Sequence, residues 1–222
     1  IEIKHKESGK ILRTVDGDSL VGADLRDDIL DGADLRNADL SNAWLQEADL
    51  RGADLSGAIF DGAVLIRTHL DGADLSGASF KETKLSDGSP GSGAVSTNCD
   101  MQGVNLEACD MRYVDLHGSN LSGALILRSD LTDASFQDAN LSRATIQGAL
   151  LIEARLNGAD LSNAIICNTH LNGASLVRAR MDGAKFGGDD CFPSVMNLAN
   201  MREASLVGAD LRDMRLNGAD LH

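Results

Sequence analysis

A five-residue repeat constrains this chain more than any other feature. From Gly22 the sequence reads GADLR, DDILD, GADLR, NADLS, NAWLQ, EADLR, GADLS, GAIFD, with a large apolar residue at every fifth position and a small residue, usually Ala, two positions earlier. We term the large residue the centre. Strands repeat every two residues and helices every 3.6, so a period of five predicts short extended segments joined by turns. Centres run from Leu20 to Leu85, from Met101 to Phe186 and from Met196 to Leu221.

A longer period indicates how many segments close one coil. Ile126, Ile146 and Ile166 are centres twenty residues apart, which predicts four pentapeptides per coil. Three similar blocks, 63–70, 124–131 and 164–171, are offset by 61 and by 40 residues. We therefore expect one extra residue within the irregular stretch 86–100, and equivalent wall positions for the three blocks.

The repeated A(D/N)LxG-type motif, seen at Gly32–Leu35 and Gly52–Leu55, resembles the pentapeptide repeat family over roughly residues 20–222. The resemblance implies an all-β fold, a right-handed quadrilateral parallel β-helix. A solenoid of this length should have about ten coils, stacked at the strand spacing of about 4.8 Å.

The segments that break the repeat define the expected domain organisation. Residues 1–19 alternate around Glu7–Lys10 and predict an N-terminal β-hairpin cap on a β-helix of residues 20–222. Loops are expected at 86–100, which is rich in Gly and Ser and contains Pro90, and at 187–195. These loops are either functional or harmless insertions. The C-terminal end shows no covering segment, so we expect it to meet further chain or a second copy, giving a homodimer through the C-terminal coil.

Charge and hydropathy exclude several function classes. The formal net charge is −14, which argues against binding to nucleic acid or an anionic membrane. The sequence contains no apolar stretch of about 20 residues, so it predicts no transmembrane span, and no targeting signal is visible. We therefore expect a cytoplasmic protein. The first residue is Ile1 rather than Met, which leaves open an incomplete N terminus.

The pattern contains no arrangement typical of catalysis, a cofactor or a metal. Cys99, Cys109, Cys167 and Cys191 form no CxxC pair, and we interpret them as reduced, mostly structural thiols, with Cys99 and Cys109 packed in the core. His69 and His170 are expected at equivalent positions five coils apart, too far to share a metal. The Asp residues before the centres are interpreted as solvated or turn-capping groups. We therefore predict a protein that is not an enzyme.

One outward surface departs from the polar pattern. The residue before the centre, normally Asp or Asn, is apolar at four positions that we expect on one face, and neighbouring residues add to them. An exposed apolar patch with an aromatic anchor is typical of an interface, although the hairpin or the 86–100 loop could instead cover it. The candidate interaction surface comprises Trp44, Val64, Ile66, Leu125, Leu127 and Ile165, with Leu150 and Ile152 expected on the next face.

Three functions agree with these observations. The first is a non-catalytic protein-interaction scaffold or regulatory module that binds a protein partner. The second follows from the resemblance, because some pentapeptide repeat proteins mimic DNA and modulate DNA gyrase. A continuous acidic band along one face, together with a two-fold contact between C-terminal ends, would favour this second function. The third is a structural module of a longer polypeptide.

Overall fold

The computed structural model describes residues 1–188 and 191–221, so that two residues of the predicted 187–195 loop and His222 lie outside the described residues. Strands and isolated parallel bridges make up its regular structure, and no described residue lies in a helix. The strands, in chain order, are β1 (Glu2–His5), β2 (Ile11–Thr14), β3 (Ala33–Asp34), β4 (Leu125–Leu127), β5 (Thr145–Gln147) and β6 (Ile165–Cys167).

Parallel pairing joins residues twenty positions apart along most of the chain. Asp24 pairs with Trp44, Trp44 pairs with Val64, and β4, β5 and β6 pair in the same way. Each coil therefore contributes one outward residue to each of four ladders, and these ladders define the four walls. Walls 1, 2, 3 and 4 begin at Asp24, Ile29, Asp34 and Asp39 respectively.

A tight turn at every corner makes the five-residue segment possible. The Ala23 amide donates to the Leu20 carbonyl at 3.0 Å, which closes a four-residue turn with Gly22 at a φ of 68°. A positive φ at the third residue only is the signature of a type II turn. Asp27 occupies the next corner at a φ of 60°, and Gly, Asn or Asp fills this position at many other corners. These residues are the ones that tolerate the left-handed region.

The core is a narrow column of centres and small residues. Phe60 and Phe80 are fully buried and stack with ring centroids 4.8 Å apart. Where a small position carries a hydroxyl or thiol, that group donates inside the column: Thr68 Oγ1 donates to the Leu45 carbonyl at 2.7 Å. Hydroxyl and thiol groups at the small position are thus buried without losing hydrogen bonds.

Two excursions leave the column at corners without breaking the ladders. Lys84 pairs with Asp110, 26 residues on, and Lys185 pairs with Asp210, 25 residues on. The first excursion therefore adds six residues, not the single extra residue expected. It is also shorter than the predicted loop 86–100, because Val95 already pairs with His69 and Asp100 with Asp74. Ser96, fully buried, is the first centre after it, rather than Met101.

The N-terminal hairpin lies against the first coil. β1 pairs antiparallel with β2 on one side and with β3 on the other, and Ile3 is buried in the core. Beside it, Arg13 Nε lies 3.0 Å from Asp28 Oδ2, although this oxygen accepts no hydrogen bond from the described residues. Burial raises the pKa of Asp28, and Arg13 opposes this shift only in part.

Within residues 1–188 and 191–221, no helix is long and apolar enough to cross a bilayer.

We expect Asp28→Asn to stabilise the protein at pH 7. The pKa of Asp28 is higher in the folded chain than in the unfolded chain, so the folded state favours the protonated carboxyl. The contribution of this carboxyl to the free energy of unfolding is therefore complete in acid, and it is lost as the pH rises through the folded pKa. The gain over wild type should shrink as the pH falls through the folded value and vanish well below about pH 4, where the carboxyl is protonated in both the folded and the unfolded chain. Urea unfolding at pH 7 and pH 3 measures it. Asp27→Asn removes an exposed charge nearby and is the control; an equal gain there would contradict the assignment.

Candidate interaction surface

Two of the apolar candidates share wall 1 near the N terminus. Trp44 and Val64 are neighbours on its ladder, and Trp44 is 48% exposed. The Arg26 guanidinium lies 5.8 Å from the centre of the Trp44 ring, a cation–π distance, while Asp24 holds Arg26 through hydrogen bonds of 2.7 and 2.6 Å. Ile66 follows at the corner after Val64. We term these residues, with Ile59 of wall 4, the N-terminal apolar patch.

A second group lies further along the solenoid. Leu125 in β4 and Ile165 in β6 face outward on wall 4, 40% and 43% exposed, with Thr145 of β5 between them. Leu127 lies at the corner between walls 4 and 1, and Leu150 lies on wall 1. Ile152 follows at the corner between walls 1 and 2. We term Leu125, Leu127, Leu150, Ile152 and Ile165 the C-terminal apolar patch.

The expected single face is wrong. Wall 1 runs from Val64 through Lys84, Asp110 and Asp130 to Leu150, whereas Leu125 belongs to wall 4. The reason is the length of the first excursion: six extra residues equal one residue plus one whole pentapeptide, so the second half is rotated by one wall relative to the expected register. The structure therefore joins Leu150 to the wall of Trp44 and Val64, and moves Leu125 and Ile165 away from it.

Neither the hairpin nor the first excursion covers these residues. The exposed fractions of Trp44, Leu125 and Ile165 are close to one half, and the hairpin pairs with β3, which lies on wall 3. These three residues therefore have no intramolecular cover from the hairpin or the first excursion, whereas Ile66 lies beside the excursion, where the Arg67 amide donates to the Ser92 carbonyl at 3.1 Å.

Sequence reasoning missed Phe192, which extends the C-terminal apolar patch. Its carbonyl accepts a hydrogen bond of 2.7 Å from the Asn168 amide, so it continues the corner that carries Leu127, Gln147 and Cys167. Its side chain is 76% exposed. One signal could have found it: the other four Phe residues are centres, and Phe192 alone stands off the repeat.

The interpretation of all four cysteines as reduced thiols is also wrong. Cys167 and Cys191 form a disulfide that spans 24 residues, with Cα atoms 5.3 Å apart. Cys99 and Cys109 are free and buried, as expected, and their thiols donate to the carbonyls of Leu70 and Phe80. Burial raises the pKa of each free thiol to about 12, which makes both poor nucleophiles.

The remaining candidates for chemistry lie apart. His69 is on wall 2 and His170 on wall 1, so these two residues are not equivalent, again because of the six-residue excursion. No cluster of three or more His, Cys, Asp or Glu side chains suited to a metal ion occurs within the described ranges. The Asp carboxylates bind groups of the turn residues that follow them. Hydrogen bonding to Arg26 lowers the pKa of Asp24 to about 2, and Asp39 accepts hydrogen bonds from the Ser41 amide and hydroxyl.

Acidic residues form a ladder over part of wall 3. Asp34, Asp54, Asp74 and Asp100 follow one another on successive coils. Asn120 and Asn140 then replace Asp, and their side chains hydrogen-bond along the ladder at 3.1 Å. Arg180 ends the acidic character further on. The acidic band therefore covers the first half of the wall rather than its whole length.

The last coil exposes core positions. Leu206, Leu211 and Leu216 are only partly buried and Leu221 is 55% exposed, whereas the centres of the middle coils are buried.

Comparison with known proteins identifies the repeat. A family model described as pentapeptide repeats matches in eight copies, over residues 19–57, 48–87, 93–126, 129–166, 154–188 and 194–222. No curated protein matches the chain.

Several solved structures are similar to this chain. HetL, a pentapeptide repeat protein involved in heterocyst differentiation regulation from the cyanobacterium Nostoc sp. strain PCC 7120, is 28% identical over 89% of each chain, with a TM-score of 0.39. Full-length QnrB1, a plasmid-mediated fluoroquinolone resistance protein, is 17% identical over 85% of this chain and 86% of its own, with a TM-score of 0.46. Rfr23 from the cyanobacterium Cyanothece 51142 is 18% identical over 69% of this chain and 91% of its own, with a TM-score of 0.26. Because these TM-scores are below 0.5, the assignment rests on the repeat match and the ladders.

Thiol counting should separate the two kinds of cysteine. In the folded protein at pH 8 we expect no thiol to react with a maleimide, because Cys99 and Cys109 are buried and protonated. Unfolding alone should release two thiols, and unfolding with a reductant should release all four. Intact mass after alkylation measures each count. Four thiols after unfolding without reductant would contradict the disulfide.

Proposed function

Because this chain belongs to the pentapeptide repeat family, whose members form right-handed quadrilateral β-helices, we propose that it is a non-catalytic scaffold that binds a protein partner through its C-terminal apolar patch. One observation carries the proposal. Large apolar side chains face outward from neighbouring walls and from the corner between them, where the repeat normally places Asp, Asn or Ser.

The composition of this patch suits a protein partner. Leu125 and Ile165 stand on a hydrogen-bonded wall, so little side-chain or backbone order has to be gained on binding. Phe192 projects at the edge and can act as an anchor that fills a pocket in the partner. Arg128 and Lys185 lie nearby and form part of a polar rim.

A second candidate function is modulation of DNA gyrase through mimicry of DNA. The ladder Asp34, Asp54, Asp74 and Asp100 and the net charge of −14 favour it. The ladder supplies about one carboxylate per 4.8 Å, however, against about one phosphate per 1.7 Å of duplex axis, and it ends at Asn120. The charge distribution therefore supports the scaffold more strongly.

The ends of the solenoid are the subject of a related proposal. We infer that residues 1–19 form a cap on a β-helix of about ten coils that covers residues 20–222. The pairing of β1 with β3 and the hydrogen bond from Lys6 Nζ to the Gly52 carbonyl, 2.6 Å long, support the cap. The wall 1 ladder, with ten members from Asp24 to Arg215, supports the number of coils. A cytoplasmic location stays a prediction.

We also propose that two copies associate through their C-terminal coils. The partly exposed centres Leu206, Leu211 and Leu216 support a self-complementary apolar contact there. The alternative is that further chain of a longer polypeptide covers this coil.

The patch proposal predicts loss of partner binding in the double variant Leu125→Glu/Ile165→Glu. Two charges at the centre of an apolar contact should cost about 2 kcal/mol or more, roughly a 30-fold loss of affinity. Affinity capture from the source lysate with quantitative mass spectrometry measures retention. Ile29→Glu, an exposed apolar site on wall 2, is the matched control. Identical retention by all three proteins would refute the patch, and gyrase retained by all three, with inhibited supercoiling, would support mimicry.

The dimer proposal predicts that Leu211→Glu/Leu216→Glu lowers self-association at least about tenfold, because charges replace centres at the contact. Sedimentation velocity over a concentration series measures the shift from dimer to monomer. Val207→Glu changes an outward residue that is 75% exposed on the same coil and should leave the equilibrium unchanged. A wild-type protein that is monomeric at every concentration would overturn the proposal.

A further inference from the structure

The Cys167–Cys191 disulfide joins the second excursion to a wall. Cys167 ends β6, two residues after Ile165, and Cys191 immediately precedes Phe192. The Cys191 amide donates to the Gly188 carbonyl at 3.1 Å, and the chain returns to the column where the Ser194 amide donates to the Phe186 carbonyl at 2.9 Å. The covalent bond therefore fixes the residue that positions Phe192.

The disulfide lines an open cleft rather than the sealed core. Both cysteines are nearly buried, 4% and 8% exposed, yet both contribute to a cleft on the outside of wall 4. Cys99 and Cys109 differ in this respect, because their thiols point into the column and donate to core carbonyls. The cleft is lined by Ile165, Cys167, Lys185, Gly187, Cys191, Asp210 and Arg212.

The charges in the cleft favour thiol–disulfide exchange. Arg212 is held by Asp210, with Nη2 2.7 Å from Oδ2, and these two charges balance each other. Lys185 adds a positive charge to the same cleft. A nearby cation stabilises a thiolate, so the sulfur expelled during exchange is a better leaving group here than in an apolar site.

We propose that Cys167–Cys191 is a reversible redox site that a dithiol reductant opens in the folded protein. One thiolate of the reductant attacks one sulfur of the disulfide, forms a mixed disulfide and expels the other cysteine as a thiolate. The second reductant thiol then attacks its own mixed disulfide, releases the remaining cysteine and leaves the reductant oxidised. Two electrons pass to the pair, and the two protons of the reductant end on Cys167 and Cys191.

Reduction removes the covalent restraint on Phe192. The Asn168 amide, 2.7 Å from the Phe192 carbonyl, then keeps its partner only through the hydrogen bond itself and the return of the chain at Ser194. The redox state thereby controls how firmly Phe192 is held at its corner, on the coil after Ile165 and Cys167. The redox site stands independently of the proposed binding function, because no partner takes part in the exchange.

The test compares native-state reduction in three proteins. Oxidised full-length chain, Lys185→Gln and the control Lys84→Gln are treated with dithiothreitol at pH 7 without denaturant, and thiols are counted by alkylation and mass. We expect two new thiols in the wild type and the control, and a rate at least about threefold lower in Lys185→Gln, because the lost cation no longer stabilises the leaving thiolate. Reoxidation should restore the starting mass.

Hydrogen exchange provides the second measurement on the same samples. The Asn168 amide should exchange at least about tenfold faster after reduction and in Cys167→Ser/Cys191→Ser, while the Arg128 amide, bonded to the Gln147 carbonyl of the same corner at 2.8 Å, should not change. Reduction only at the rate of global unfolding would overturn the proposal and mark the disulfide as a permanent structural link. Equal rates in the two lysine variants would refute the role of Lys185, and unchanged exchange at Asn168 would refute the control of Phe192 by the disulfide.

Discussion

Each segment of this chain must turn a corner within two residues and then hydrogen-bond to the next coil. The corner amide and carbonyl close the turn, as between Ala23 and Leu20, while the remaining backbone groups pair with residues twenty positions away. This double demand explains why Gly, Asn and Asp recur at the corner and why Ala and Leu recur inside. An aromatic residue at the small position would separate the coils, and a β-branched residue at the corner would be strained.

The period of the repeat and the inward or outward direction of each side chain can be predicted from sequence, because the large and small apolar residues of each pentapeptide mark its inward positions. Trp44, Val64, Leu125 and Ile165 are all outward, as their positions indicate. Their relative placement could not be predicted, because a wall is assigned by counting whole pentapeptides. An excursion of six residues and one of a single residue leave the same five-residue phase, yet they differ by one wall.

The cysteines illustrate a second limit. Cys99 and Cys109 occupy small positions, so their burial follows from the repeat. Cys191 lies where the repeat is interrupted, and its contact with Cys167 depends on how the excursion folds back. Phe192 was missed for the same reason. Residues outside the repeat have no position that the period can assign, and in this chain they form the edge of the surface that we propose for binding.

Coil-to-coil pairing also gives the solenoid a mechanical direction. Each coil is held mainly by its two neighbours, so force applied at the C-terminal end should detach the coils one after another. The Cys167–Cys191 bond encloses 24 residues, slightly more than one coil. Peeling from that end would reach Cys191, where the covalent link would carry the force directly to Cys167, so the chain enclosed between the two cysteines could not extend. Under reducing conditions the solenoid would lose this link, so the length of chain that extends under force would depend on the redox state of its surroundings.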